Sequence, residues 1–251
     1  MEYRLVTLAE RPDLFSQILA LEQEVWPTFM RKNPVAARYW ERLFRYFPND
    51  QQILIDEREQ VVASANAIPV RWDATLENLP AGWDAVLEQG ILEYEQELPP
   101  IVLSALAILV KPTLRGQAIS SRMIKALRHV ALTHGFSLLI APVRPSLKHR
   151  YPLIPIQDYV SWTRDDGLPF DPWMRAHVRL RASVLKVAPQ SMVILGNIKQ
   201  WEEWTQMRFP QSGSYVIPEA LTPLLISFER DEGRYEEPNV WMQHRIEANQ
   251  T

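Results

Sequence analysis

The chain has 251 residues, long enough to bury a substantial core as one large domain or two small ones. Hydrophobic residues make up 47% and charged residues 23%; 27 basic against 30 acidic side chains leave a net charge of −3 with no block of like charges, which argues against nucleic acid or an anionic membrane as partner. The absence of cysteine excludes disulfides, thiolate nucleophiles and cysteine metal sites together, and with no apolar leader after Met1-Glu2-Tyr3-Arg4 and no run of the roughly 18 apolar residues a membrane span needs, a cytoplasmic protein is expected.

In chain order, residues 3–8 alternate as a first strand. Asp13 is placed to cap a helix reaching Trp26, with Leu14, Ile18, Leu21 and Val25 on one face. A second helix follows Pro34, striped by Ala37, Trp40, Leu43, Phe44 and Phe47. Gln52 to Asp56 and Val61 to Trp72 read as a hairpin across the polar turn 56–60. Segment 74–100 carries a helix from Trp83 to Tyr94, and Ile101 to Val110 is the most apolar strand, suited to the centre of a sheet. A helix over 116–134 presents Ile119, Met123, Leu127, Val130 and Ala131 on one side and ends at Gly135. Phe136 to Val143 is the next buried strand, which makes strand, helix and strand a βαβ unit with its strands parallel. Residues 144–170 form a long ordered loop. Asp171-Pro172 starts a helix that runs to about Arg181. Ser183 to Ala188 and Met192 to Leu195 suggest a hairpin around Pro189-Gln190. The tail contains a helix from Ile198 to Met207 and strand-like pieces at Tyr215 to Ile217 and Leu224 to Phe228. The 20 prolines and 9 tryptophans point to stiff loops and large aromatic walls.

The most informative stretch is Ile108-Leu109-Val110-Lys111-Pro112-Thr113-Leu114-Arg115-Gly116-Gln117-Ala118-Ile119-Ser120. A buried strand ends, a short turn carries Arg-Gly, and an amphipathic helix begins. A helix start gathers unpaired N–H groups and about half a positive charge, the setting for a phosphate. Arg115 adds a forked cation, and Ser120 and Ser121 add hydroxyl donors. The stretch resembles the pyrophosphate loop of the GNAT superfamily, the acyl-CoA-dependent N-acyltransferases, whose pattern is Arg/Gln-x-x-Gly-x-Gly/Ala; here Ala118 and Ser120 stand where glycines are usual.

The resemblance covers roughly residues 1–196. It implies an α/β fold: a mixed, mostly antiparallel twisted sheet with helices on both faces and a central parallel strand pair. Segments 74–100 and 144–170 are then insertions, and 197–251 is a C-terminal extension packed on the same domain. It further implies binding of acetyl-CoA or another acyl-CoA as cosubstrate, with no metal, at Leu109, Val110, Arg115, Gly116, Gln117, Ala118, Ile119, Ser120 and Ser121. The acyl group then passes to the amine of a small molecule or peptide by direct attack, since there is no cysteine to carry a covalent thioester. A homodimer is open. The alternative is a CoA-binding or partner-binding module on the same scaffold without turnover.

For proton transfer, the family often places a tyrosine acid on the helix after the second buried strand. His177 occupies that place here, and an imidazole titrating near working pH suits the task; a packed or solvent-facing helix histidine is the plain alternative. Tyr151 is the rival acid, or an aromatic plug for its loop. Glu93, Glu95 and Glu97 are base candidates or a solvated face. Arg144, Lys148, His149 and Arg150 form a basic cluster able to meet a CoA phosphate or an acidic acceptor, or an ordinary charged loop. The five histidines show no metal-binding spacing, and neither a P-loop nor a dinucleotide-binding glycine pattern occurs.

Overall fold

In a computed structural model, which describes residues 2–114 and 116–247, a nine-stranded sheet carries the helices on its two faces. The N-terminal strand β1 (Arg4–Thr7) is followed by a 3-10 turn over Pro12–Leu14 and by α1 (Phe15–Val25). Asp13 does not cap this helix. Its carboxylate is bound by the Arg11 guanidinium at 2.7 and 2.8 Å. Helix α2 (Pro34–Tyr46) begins as its sequence dictates, because Pro34 needs no N–H partner at the first position and Asn33 Oδ1 accepts from Ala36 N at 2.7 Å. The hairpin of β2 (Gln52–Ile55) and β3 (Val61–Val70) follows, then α3 (Trp83–Glu95) and β4 (Val102–Val110).

Helix α4 (Ile119–Thr133) crosses back from β4 to β5 (Leu138–Val143), and β4 and β5 are parallel as the βαβ pattern requires. Gly135, at φ 74°, ends the helix: its amide bonds Leu132 O and the next amide bonds Ala131 O. The 144–170 segment is more structured than a loop. It holds a 3-10 turn at Lys148–Arg150 and a short helix α5 (Ile156–Val160), and its tie point is Asp171. That buried carboxylate accepts from Leu147 N, Tyr159 Oη and, as the N-cap of α6 (Pro172–Arg179), from Trp173 N and Met174 N.

The C-terminal third departs most from the sequence pattern. Residues 183–196 are one strand, β6 (Ser183–Gly196), and not a hairpin. After α7 (Ile198–Thr205), β7 (Gly213–Tyr215) and β8 (Leu224–Ser227) comes a second 14-residue strand, β9 (Glu232–Arg245), which lies inside the sheet. It pairs with β6 from Gly233 to Gln243, with β8 over its first three residues and with β5 from Val240 to Arg245. Pro189 and Pro238, neither of which can donate to a ladder, fall at the same place. The register jumps there from Ala188–Asn239 to Met192–Glu237, a bulge on β6 that absorbs both.

One face of the sheet packs α2 and α3 against Ile68, Val70, Val102 and Leu106, and α1 sits beside them over Ile53, Ile55 and Leu109. The other face packs α4 and α6 against Ala63, Ala65, Leu103 and Ala141. The bulge on β6 also anchors α3: Ser191 Oγ accepts from Trp83 N at 2.7 Å and donates to Asn239 Oδ1 at 2.6 Å. Gly82 lies against this joint, and a Cβ added there would stand 2.2 Å from Ser191 Cα. A backbone neighbour cannot turn aside, so Gly82→Ala is expected to cost about 1–3 kcal/mol through overpacking. This reads as a Tm lower by roughly 2–4 °C per kcal/mol in a chain of this size; an unchanged melting curve would refute this account of the joint.

Candidate active site

The parallel pairing of β4 and β5 lasts for two rungs, Leu103 with Leu139 and Ser104 with Ile140. Beyond them the strands part. The bulge between β3 and β4 leaves Leu106 without a β3 partner, and Trp83 Nε1 takes its carbonyl at 2.8 Å. On β5, Pro142 offers no N–H where pairing has ended. The gap opens into a cleft of about 900 Å³ whose walls include Ala105–Val110 from β4 and Ala141–Val143 from β5. The cleft reaches both faces of the sheet, with Ile119, Ser120, Trp173, Ala176 and His177 on the α4/α6 side and Glu22, Trp26, Trp40 and Trp83 on the α1/α2/α3 side.

At the mouth on the α4 side lies the turn from Gly116 to Ser121. Gly116, Ile119 and Ser120 line the cleft, as do Leu109 and Val110. Gly116, Gln117 and Ala118 are exposed, and Ser121 is half-buried. Among the described residues none accepts from the amides of 116–121, whereas Arg122 N already bonds Ala118 O at 3.1 Å. The helix start therefore presents a row of open donors. Arg115 lies outside the described residues. Ala118 has φ 58°, the left-handed region where a glycine is at ease and a Cβ is strained.

His177 is 3% exposed and has a histidine neighbour: its Nδ1 lies 3.0 Å from His244 Nε2. Among the described residues, the outer nitrogen of His177, Nε2, is buried without a hydrogen-bond partner. Burial and the adjacent ring push His177 well below the usual imidazole range, and burial takes His244 down to about 4. This direction runs against the expectation that His177 titrates near working pH. Tyr151 is not among the cleft residues. Its ring packs 5.0–6.0 Å from Trp162, Tyr159 and Phe170, the aromatic plug of its loop. Glu93, Glu95 and Glu97 are also outside the cleft. Glu93 accepts from Arg71 N and Gln89 Nε2, and Glu95 from Arg42 and Tyr46.

Two members of the basic cluster, Arg144 and Lys148, are committed to the fold, and Arg150 is exposed. Arg144 lines the cleft, but its guanidinium bonds the buried Glu237 carboxylate and Glu219 O. Lys148 is buried, lowered to about 8 by desolvation, and donates to Tyr151 O and Leu221 O at 2.7 Å each. His149 lines the cleft with Nδ1 3.0 Å from Ser146 O.

Sequence reasoning missed Glu22. It is half-buried on α1, accepts from Trp40 Nε1 at 2.8 Å, and is raised to about 7 because desolvation outweighs that hydrogen bond. The signal was present: Glu22 lies four residues after Ile18 and three before Val25, a carboxylate inside the apolar sector of its helix.

Two outcomes follow. Ala118→Gly should raise stability by about 0.5–1 kcal/mol, because relief of the left-handed strain exceeds the added freedom of the unfolded chain; a lower denaturation midpoint would contradict it. The histidine pair contributes stability that is lost on the acid side. As pH falls below 6.5 the unfolded chain takes up protons that the folded pair resists, down to about 4 for His244. Urea midpoints should therefore rise between pH 4 and 6.5 more steeply in the wild type than in His244→Gln, and parallel slopes would exclude the pair as the cause.

No family model matches the chain. Over 97% of its length it is 33% identical to the arginine N-acetyltransferase avaD of Aspergillus versicolor, and it spans 94% of that protein. In fold it is similar to the loading GNATL domain of CurA from Lyngbya majuscula (17% identity, 98% of each chain, TM-score 0.63) and to the GphF GNAT-like decarboxylase in complex with isobutyryl-CoA (17% identity, 98% of this chain and 100% of that one, TM-score 0.60). It is also similar to an aminoglycoside 6'-N-acetyltransferase complexed with coenzyme A (12% identity, 99% of each chain, TM-score 0.50). A relative of this identity over nearly the whole of both sequences, on a sheet that parts between two parallel strands, sets aside the non-catalytic alternative: the chain belongs to the GNAT superfamily and is an acyl-CoA-dependent N-acyltransferase.

Proposed function

We propose that the protein transfers the acetyl group of acetyl-CoA to an amino group of arginine or a closely similar cationic amino acid. The observation that carries this reading is the row of open amides at 116–121 leading into the gap between β4 and β5. The diphosphate would sit on those amides, aided by the Ser120 and Ser121 hydroxyls and by Arg115. The pantetheine arm would follow the main-chain groups of Leu109 and Val110, which bring the thioester to the middle of the gap.

The acceptor would enter from the opposite face. There Trp26, Trp40 and Trp83 offer aromatic walls to a cation, and the exposed Arg31 at the rim suits a carboxylate. The identity of the relative supports arginine in particular. In the direct reaction the ammonium first loses a proton. The free amine then attacks the thioester carbonyl, the C–S bond breaks, and the leaving thiolate takes the second proton from the attacking nitrogen.

Acetyl-CoA at 100 times its Kd should stabilise the fold by about 2.7 kcal/mol, visible as a raised Tm. Thiol release with arginine, lysine, agmatine and spermidine then tests the acceptor. Arginine should give the highest kcat/KM, and an amine lacking the carboxylate matching it would overturn the assignment.

A further inference from the structure

We propose that Glu22 is the general base of the reaction, placed on the acceptor face of the sheet to take the ammonium proton before attack. The inference rests on the acetyl-transfer reading above and adds a residue to it.

The position is the first argument. The cleft passes through the sheet, and the amides that suit a diphosphate lie on the α4 side, so the other side is left to the acceptor. Among the described residues two carboxylates line the cleft, Glu22 and Glu219. Glu219 is exposed, on a turn whose backbone carbonyl is held by Arg144. Glu22 is half-buried and fixed by Trp40 Nε1, an orientation set by a ring that itself packs 5.5 Å from Trp83. His177, the other titratable candidate deep in the cleft, has one nitrogen occupied by His244 and lies on the far face.

The surroundings are the second argument. The strands packed under α1, β2, β3 and β4, carry no titratable side chain. On α2, Arg38 and Arg42 lie over the Tyr39 ring, Arg45 lies over Tyr46, and Glu41 is exposed. Before α1, Asp13 is paired with Arg11; after it, Arg31 and Lys32 are exposed, as is Glu24 on α1 itself. Across the cleft Arg144 is bound to Glu237. No cation is therefore set against the Glu22 carboxylate among the described residues, and desolvation governs it, lifting it to about 7. A base of that strength is ionised in a useful fraction at neutral pH and still accepts a proton from an ammonium, which a carboxylate of ordinary acidity does poorly. The proton taken from the ammonium leaves Glu22 as the neutral acid, which returns it to water through the open cleft after the product departs.

Three measurements decide the matter. The kcat/KM of the wild type should fall on the acid side with a midpoint near 7. Glu22→Gln, which keeps an oxygen for Trp40, should lose about 10²–10⁴-fold in kcat and lose that acid limb, with acetyl-CoA affinity unchanged. Trp40→Phe should move the limb to higher pH, because the hydrogen bond it removes favours the carboxylate. A merely structural role for either residue would not move a pH midpoint in that direction. If Glu22→Gln raises KM for the acceptor but keeps kcat and the acid limb, Glu22 is a binding group and the proposal falls. A carboxyl carbon signal missing from Glu22→Gln that titrates in the ordinary range near 4.5 would also overturn it, without any acceptor in hand. If another amine is acetylated and arginine is not, only the acceptor assignment falls, and the same comparison on that amine decides the base.

Discussion

The site exists because two parallel strands stop pairing after two rungs. A sheet whose central strands stayed zipped would have no route from one face to the other, and no place where a thioester and an amine could meet. Three local features hold β4 and β5 apart. The bulge at Leu106 twists β4, Trp83 Nε1 takes the carbonyl thereby freed, and Pro142 removes a donor from β5. Trp83 is in turn held by Ser191, which the bulge on β6 delivers. The opening between two strands thus depends on a strand 80 residues away in sequence from the first of them.

The N-terminal two thirds of this arrangement were legible in the sequence, since each signal there is local. Asn33-Pro34, the apolar run ending at Val110, Gly135 and Asp171-Pro172 each fix a boundary by chemistry within a few residues. The local order of residues 108–120 was legible for the same reason. A strand end, a turn with a positive φ and a helix start are consecutive, and among the described residues none accepts from the amides of 116–121.

What was not legible is long-range. Strand β9 reads Glu-Gly-Arg-Tyr-Glu-Glu-Pro-Asn before its apolar run, and charges with a proline at the middle look like a turn. It becomes an interior strand because its polar groups find partners far away in sequence. Glu237 meets Arg144, and Asn239 meets Ser191. Likewise Pro189-Gln190 reads as a hairpin turn until a second proline opposite it makes one bulge serve both. The basic residues at 144–150 suggested a phosphate site for a related reason: sequence shows the cations but not the buried carboxylate and carbonyls that occupy Arg144 and Lys148.

The same long-range logic separates the two kinds of titratable group at the cleft. His177 had the right place by analogy but the wrong environment. Nearly complete burial and a second imidazole 3.0 Å away push it well below the usual imidazole range. Glu22 lies in a region the motif does not reach, on a helix whose outward face is ordinary. Its environment of indole rings removes solvent from the carboxylate, and desolvation outweighs the Trp40 hydrogen bond. Proton affinity near neutrality is then a property of the packing between α1, α2 and α3. It is set on the face of the sheet opposite the α4 helix start, so the two halves of the proposed site can be tuned separately.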